Sequence, residues 1–351
     1  MTRCLAPYLA AMALAVWAPS ASAYEHVVAI GDSLLDDSSG SRSPVVAAQL
    51  ADLLGVPLSN FANSGSTSTA MLEQQQPERA AAAAQPGDLA VVWIGGNDLF
   101  WSAPQVTFGN YDFIDTLAAN VSSAFEILRQ ADLEIVAFNL PDFADVPIVQ
   151  TTVKTLVPFR FLQAAALENF TQAARFWNDR LVQIAAQYDA TVVDVFGPLS
   201  AAVDRPADFA LLGHEPIAGP DEGCQFCIFA DSIHPSAFAQ GWALNAAVAE
   251  LNGKAGFEYL EPHSEADLAR LAGLIPGDFD ENLQVGSLDL ATWVASLGSQ
   301  PLADGLAARA AGDADGDHDA DGSDFLFWQR DFTGDAPVAA SGVSVPEPLT
   351  P

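Results

Sequence analysis

The chain has 351 residues, half of them hydrophobic, with 45 acidic and 13 basic residues and a formal net charge of −32. This length and apolar content allow a large core in one large domain or two smaller ones. A surface this acidic repels phosphate groups, which excludes nucleic acid as a partner and disfavours anionic lipid head groups.

Residues 1–23 have the pattern of a secretory signal peptide. Arg3 precedes an apolar run from residue 5 to 17, and Ala21-Ser22-Ala23 offers a small-residue cleavage site. The run is shorter than the roughly 20 apolar residues that a membrane span needs, so no stable span is expected. The sequence predicts a mature protein that starts near Tyr24 and is secreted by a bacterium to the exterior, the cell surface or the periplasm.

Short apolar runs alternate with amphipathic patterns over the first 250 residues. The runs predict buried strands over residues 27–30, 89–94, 133–138 and 191–195. Helical periodicity follows Pro44 and recurs over residues 114–128, 170–184 and 238–251. Alternation of this kind predicts an α/β domain with a central parallel sheet covered on both faces, and a site beyond the carboxyl ends of the strands.

Four motifs carry the chemistry, in the order Gly31-Asp32-Ser33-Leu34, Gly65 within Asn-Ser-Gly-Ser, Gly95-Gly96-Asn97-Asp98, and Asp231-Ser232-Ile233-His234-Pro235. A serine hydroxyl needs a base to take its proton and donors for the developing negative charge. A glycine lets backbone approach the oxyanion, an amide donates without carrying charge, and an Asp three residues before a His can orient the imidazole. The ordered set therefore predicts a serine esterase.

This set resembles the SGNH hydrolases, or GDSL esterases and lipases, over residues 27 to about 251. Asn60-Phe61-Ala62, the 91–94 strand and Leu140-Pro141-Asp142 are most similar to the extracellular lipase and thermolabile hemolysin branch. The resemblance implies a three-layer, flavodoxin-like hydrolase domain over residues 24–253 that needs no cofactor for catalysis.

The resemblance also implies a role for each site residue. Ser33 would be the nucleophile, His234 the general base and Asp231 the acid that orients it, while the oxyanion hole would comprise the Ser33 and Gly65 N–H groups and the Asn97 amide. Asp32 and Asp98 are interpreted as turn and cap acids. Five aromatic residues after Asn97 either line a substrate cleft or pack on the sheet: Phe100, Trp101, Phe108, Tyr111 and Phe113.

Removal of the signal peptide leaves two cysteines, Cys224 and Cys227. Disulfides persist outside the cytosol, so a local disulfide is favoured over a redox or metal role for the Cys-Gln-Phe-Cys pair.

An acidic internal repeat follows a predicted linker over residues 254–272. Within residues 273–335, Asp278, Asp280, Asn282 and Asp289 align at an offset of 35 with Asp313, Asp315, Asp317 and Asp324, and Trp293 aligns with Trp328. The second copy places Asp313, Asp315, Asp317, Asp321 and Asp324 at positions 1, 3, 5, 9 and 12 of a calcium-type loop, with the Asp319 carbonyl at position 7. His318 stands where glycine eases the turn.

The first copy is poorer, with Leu283 at position 6 and Gly286 at position 9, and leaves Asp278, Asp280, Asn282 and Asp289 as its candidate ligands. A solvated acidic tail is the alternative to a folded calcium-binding module. The paired loops, each followed by a helix, resemble dockerin type I modules, which implies structural Ca²⁺ and a cohesin-like or cell-surface protein partner.

Residues 336–351 form a Pro-rich tail. Val345-Pro346-Glu347-Pro348 resembles the start of a bacterial sorting signal, and an ordinary Pro-rich end is the alternative.

Taken together, these patterns predict a secreted serine hydrolase of carboxylic esters, small or polymer-borne, with lipid or short-chain acyl groups. One alternative is a carbohydrate O-acetyl esterase directed to polysaccharide by the dockerin-like module. An alternative of another class is a non-catalytic, calcium-dependent attachment protein.

Overall fold

The computed structural model describes residues 24–38, 43–220, 226–254, 259–300, 302 and 305–334. The predicted signal peptide, Cys224 and the Pro-rich tail lie outside these residues.

A five-stranded parallel sheet forms the centre of the α/β domain. Its strands are β1 (Val27–Gly31), β2 (Leu58–Asn60), β3 (Leu89–Trp93), β4 (Glu134–Phe138) and β5 (Thr191–Val193). They lie in the order β2-β1-β3-β4-β5, which is the flavodoxin-like order. The predicted fold class is confirmed, although the short edge strand β2 was not predicted.

Helices cover both faces of this sheet. They are α1 (Val46–Leu54), α2 (Ser68–Glu73), α3 (Gln76–Ala83), α4 (Gly96–Trp101), α5 (Ala103–Val106), α6 (Phe113–Gln130), α7 (Pro147–Leu156), α8 (Arg160–Tyr188), α9 (Phe196–Asp204) and α10 (Ala237–Asn252), with 3₁₀ turns at Phe143–Asp145 and Pro206–Phe209. Successive residues of a strand point to opposite faces. Val28 and Ile30 of β1 accordingly face the core formed with α6 and α8, whereas Val27 and Ala29 face the core formed with α1 and α10.

The segment predicted as a linker contains packed structure. Helix α11 (Glu265–Leu271) lies within it, and Ala266 and Ala269 on this helix are fully buried. A Cβ at Gly241 of α10 would lie 2.7 Å from Leu268 Cδ2, so glycine permits the close approach of the two helices. The helix forms because its small apolar residues recur at helical spacing and face α10.

The acidic repeat is folded, with α12 (Ser287–Ser296) and α14 (Gly322–Asp331) following equivalent loops and α13 (Leu306–Arg309) between them. Each tryptophan bonds to the opposite loop. Trp293 Nε1 donates to the Asp321 carbonyl at 2.7 Å, and Trp328 Nε1 donates to the Gly286 carbonyl at 2.9 Å. Because 286 and 321 are equivalent positions of the repeat, the two halves are related by an approximate two-fold arrangement.

Within the described part of the chain, no helix has the length and apolar character to cross a membrane.

Candidate active site

Ser33 lies at the carboxyl end of β1, directly after a strand end that requires glycine. A Cβ at Gly31 would lie 2.0 Å from the Trp93 carbonyl oxygen, closer than any real contact. The Gly31 N–H donates to Gln76 Oε1 at 2.8 Å, and the Ser33 side chain lies at the wall of a cavity. The close pairing of β1 with β3 therefore fixes where the hydroxyl is presented.

The structure brings Ser33, His234 and Asp231 together. His234 Nε2 lies 2.8 Å from Ser33 Oγ, and His234 Nδ1 lies 2.7 Å from Asp231 Oδ2. Asp231 Oδ1 also accepts the backbone N–H groups of Ile233 and His234, each at 2.8 Å. Burial alone would raise the pKa of Asp231, but these hydrogen bonds outweigh it and lower the pKa below its ordinary value. The carboxylate is thus kept ionised beside the imidazole.

Asn97 contacts the turn containing Gly65 and lines the same cavity as Ser33. Asn97 lies in the first turn of α4, after β3, and its Nδ2 donates to the Ser66 carbonyl at 3.1 Å. Asp36, in the loop after Ser33, accepts the Ser64 N–H at 2.9 Å. Gly65 has a φ of 80°, a left-handed conformation that favours glycine. These bonds connect the turn containing Gly65 both to Asn97 and to the loop after Ser33.

Asp32 and Asp98 act on the backbone, as turn and cap acids do. Asp32 Oδ1 accepts the Leu34 N–H at 3.0 Å, and the Asp98 carboxylate accepts the N–H of Ser68, the first residue of α2, at 2.8 Å. Burial raises the pKa of both groups, that of Asp32 to about 7. Asp32 is therefore a buried carboxyl one residue from the nucleophile.

An apolar cavity opens beside Ser33, Asn97 and His234. Its other walls come from the ends of β3 and β5, from α9 and α10 and from the connecting loops, and they include Trp93, Phe143, Leu199, Phe209, Phe229 and Trp242. None of the five aromatic residues predicted as cleft candidates is among the lining residues. Tyr111 and Phe113 pack against the core instead, and Trp101 and Phe108 are exposed. Packing against the core therefore holds for Tyr111 and Phe113, and none of the five lines this cavity.

Two fully buried glutamines hold the backbone on either side of the serine, and the sequence analysis missed them. Gln76 accepts the Gly31 N–H, while Gln240 Nε2 donates to the Leu34 carbonyl at 2.9 Å and its Oε1 accepts the Val46 N–H at 3.1 Å. A polar residue at a core position of an otherwise alanine-rich helix is a usable signal for Gln240, because buried polar groups need partners.

In the second acidic loop, carboxylates converge. Asp313, Asp315 and Asp317 have oxygens within 4.8 Å of one another, and so do Asp319, Asp321 and Asp324. The Oδ1 atoms of Asp315 and Asp319 are buried without a hydrogen-bond partner. Burial, with the charges of Asp324 and Asp317, raises the pKa of Asp315 to about 7. A set of hard oxygen donors with unpartnered buried atoms fits a calcium ion.

The first acidic loop differs from the second in its partners. Asp278, Asp280 and Asp289 converge in the same way, but Asn282 Nδ2 donates to Asp280 Oδ2 at 2.9 Å. The buried guanidinium of Arg309 donates to the Asp278 carbonyl at 2.7 Å. The positively charged Arg309 side chain therefore lies beside the first acidic loop.

Cys227 is disulfide-bonded. Its predicted partner Cys224 lies outside the described residues.

A model of the GDSL-like Lipase/Acylhydrolase family matches residues 29–242. The match spans more than half of the chain, and the chain therefore belongs to this family of GDSL-type esterases and lipases. The family prediction is confirmed.

Solved structures similar to this chain include a catalytic mutant of an acetylxylan esterase from Geobacillus stearothermophilus, at 17% identity and a TM-score of 0.45, covering 69% of this chain and 99% of that chain. Phospholipase A1 from Streptomyces albidoflavus matches at 16% identity and a TM-score of 0.43, covering 65% of this chain and 99% of that chain. An extracellular lipase from Streptomyces rimosus matches at 17% identity and a TM-score of 0.43, covering 64% of this chain and 99% of that chain. No curated protein matches the chain.

Proposed function

We propose that this protein hydrolyses carboxylic esters through an acyl-enzyme on Ser33. The observation that carries the proposal is the continuous series of contacts from Asp231 through His234 to Ser33 Oγ, at 2.7 and 2.8 Å. A hydroxyl, an imidazole and a carboxylate in this order are the parts that activate a serine.

In the proposed reaction, Ser33 Oγ attacks the ester carbonyl carbon while His234 Nε2 takes the hydroxyl proton. Asp231 holds Nδ1–H and stabilises the imidazolium. The oxyanion of the tetrahedral intermediate accepts hydrogen bonds from the Ser33 and Gly65 N–H groups and the Asn97 amide. His234 then protonates the departing alcohol, and the same base activates a water that releases the acid.

The cavity favours an ester with an apolar acyl chain over an acetyl ester. Its walls are mainly aliphatic and aromatic, and they include Phe209, Phe229 and Trp242. An acetyl group would leave most of this surface without a partner, whereas a longer chain would bury it, which is favourable by roughly 0.8 kcal/mol per methylene. The carbohydrate O-acetyl esterase hypothesis has no comparable support.

Replacement of Ser33 by alanine tests the proposal. We expect Ser33→Ala to lower the turnover of aryl esters by several orders of magnitude, because the nucleophile is lost. Among aryl esters of increasing acyl length assayed with the unaltered protein, kcat/KM should rise from acetate to octanoate. Wild-type turnover in Ser33→Ala would refute the assignment, and a maximum at acetate would refute the acyl preference alone.

We further propose that residues 273–335 form a dockerin-like module that binds structural Ca²⁺, with Asp313, Asp315, Asp317, Asp319, Asp321 and Asp324 as the main ligand set and Asp278, Asp280, Asn282 and Asp289 as a weaker one. Bound calcium would neutralise carboxylates that otherwise repel one another. Support comes from the repeat, the converging oxygens and the crossed tryptophan bonds. Such a module would dock a cohesin-like or cell-surface protein, and the signal pattern and the disulfide at Cys227 support secretion.

A further inference from the structure

The hairpin between α7 and α8 exposes a group of large apolar side chains. Phe159 is 62% exposed and Phe161 is 80% exposed, and their rings lie 5.9 Å apart. Leu156 and Leu162 flank them and are also exposed. We call these four residues the apolar tip. Contiguous exposed apolar residues of this size mark an interaction surface more often than scattered single ones.

The apolar tip lies in a segment whose charge is opposite to that of the rest of the protein. Residues 146–167 contain no Asp or Glu, although the chain has 45 of them. The same segment contains two basic residues, Lys154 and Arg160, which are both exposed. The apolar tip therefore lies in a locally cationic segment of a protein of net charge −32.

The base of the hairpin is packed, which keeps the apolar tip extended from the domain. Val153 and Val157 are buried, and Gln163 Nε2 donates to the Val157 carbonyl at 2.9 Å. The backbone is thus fixed at the point where the chain reverses. Exposure of the phenylalanines follows from this packing.

The hairpin begins at the proposed active site. Val146, the residue before α7, lines the apolar cavity, and the Ile148 N–H donates to the Ser232 carbonyl at 2.8 Å within the loop between Asp231 and His234. Helix α7 has 10 residues, so it carries the chain about 15 Å from the cavity rim to the tip. A surface that binds the tip would lie near the cavity.

We propose that the apolar tip inserts into the surface of zwitterionic phospholipid and so holds the cavity at a lipid–water interface. Phenylalanine and leucine would enter the boundary of the acyl chains, and Lys154 and Arg160 would meet the phosphates. Because the remainder of the molecule is strongly acidic, an anionic lipid surface would repel it, so a net-neutral surface is the one that the tip can enter. The binding part is independent of the proposed function; its consequence for substrate choice rests on that function.

A second copy of the chain is a poorer occupant of this surface. In a symmetric dimer the same patch faces itself, so Lys154 and Arg160 of one copy would approach those of the other. Like charges at an interface oppose association.

Vesicle binding tests the proposal with catalysis removed. We would measure cosedimentation of the full-length Ser33→Ala protein with phosphatidylcholine vesicles, with and without Phe159→Ser and Phe161→Ser. The matched control carries Tyr259→Ser and Leu288→Ser, because these side chains are 68% and 67% exposed but lie outside the hairpin. Removal of two inserted phenyl rings should lower the partition coefficient roughly 30-fold or more, and the control should change it less than twofold.

Equal binding by the hairpin variant and its parent would overturn the proposal, and so would failure of the parent to bind. A dimer of the parent that dissociates in the hairpin variant, seen by sedimentation velocity, would assign the tip to self-association instead. Unchanged thermal midpoints would establish that the exposed substitutions leave the fold intact. Lys154→Gln with Arg160→Gln should weaken vesicle binding a few-fold, and added salt should remove that difference.

Kinetics then connect the surface to the enzyme. In a chain that retains Ser33, the two Phe→Ser changes should leave kcat/KM for a dissolved butyrate aryl ester within twofold. Hydrolysis of a long-chain aryl ester carried in the vesicles should fall about tenfold. If neither the unaltered protein nor the variant with the two Phe→Ser changes cleaves the dissolved ester, the proposed function fails. The vesicle-binding result then stands by itself.

Discussion

Asp231, beside the imidazole, and Asp315, in the second acidic loop, lie in opposite electrostatic surroundings. Asp231 accepts backbone N–H groups and faces His234, and its pKa is lowered despite burial. Burial and neighbouring carboxylates raise the pKa of Asp315 to about 7. The first carboxylate is stabilised by groups of the protein, whereas the second lies among like charges. For these two groups, the direction of the pKa shift follows from whether the neighbours are hydrogen-bond donors or other carboxylates.

The largest effect is expected when the favourable surroundings of Asp231 are broken. Asp231→Asn keeps the shape of the side chain but removes the charge that fixes the His234 tautomer, so kcat for a soluble aryl ester should fall about 10³- to 10⁴-fold. The exposed Asp208→Asn is the control, because Asp208 lies in a surface ion pair with Arg205. A kcat for Asp231→Asn within tenfold of the unaltered protein would remove Asp231 from the mechanism.

Calcium should relieve the unfavourable surroundings of Asp315. At a free concentration 100 times the dissociation constant, Ca²⁺ binding to the folded state alone raises the free energy of unfolding by about 2.7 kcal/mol. Thermal unfolding with EGTA or with excess Ca²⁺ measures this effect, and Mg²⁺ at the same concentration is the comparison.

Two matched double variants sharpen the contrast between the loops. Asp313→Ala with Asp315→Ala should abolish most of the calcium stabilisation, while Asp278→Ala with Asp280→Ala at equivalent positions should remove less, because Arg309 already stands beside the first loop. Equal losses would contradict the ranking of the two loops.

The smallest effect concerns Asp32, a carboxyl of the α/β domain whose pKa is raised by burial. Its pKa is about 7 in the folded state against an ordinary value of 3.8, so the folded protein holds a proton that the unfolded chain releases between these values. The stabilisation that this bound proton gives to the folded state is fully present below pH 3.8, and it is lost as pH rises through 7. The free energy of unfolding should therefore fall by about 1 kcal/mol per pH unit from pH 5 to 7.

Asp32→Asn should abolish this component of the pH dependence, and urea titrations at pH 5, 6 and 7 would measure it. The exposed Asp112→Asn should keep the slope of the unaltered protein. Parallel slopes for Asp32→Asn and the unaltered protein would show that the buried carboxyl does not titrate in this range.

Much of the sheet and the residues that meet in the candidate active site could be predicted from sequence, because each is encoded locally. A buried parallel strand is a short apolar run, and Ser33, Asn97 and His234 each stand in a compact motif. Strand β2 has three half-buried residues at the sheet edge and no apolar run, so no comparable signal marks it.

The walls of the cavity could not be predicted in the same way. Phe209, Phe229 and Trp242 come from a 3₁₀ turn, a loop and a helix, and their positions depend on how these elements pack over the sheet. Phe108, close to Asn97 in sequence, turns outward instead. Proximity along the chain is a good guide to a turn and a poor guide to a cavity, because tertiary packing decides which side chains converge.

The crossed bonds of Trp293 and Trp328 make the two acidic loops one cooperative unit. Each indole N–H has its acceptor in the other repeat, so opening either loop breaks a bond that holds its counterpart. Half of the repeat, expressed alone, would lack the partner for its own indole. The intrinsic fluorescence of these rings should consequently report the unfolding of both loops as a single transition.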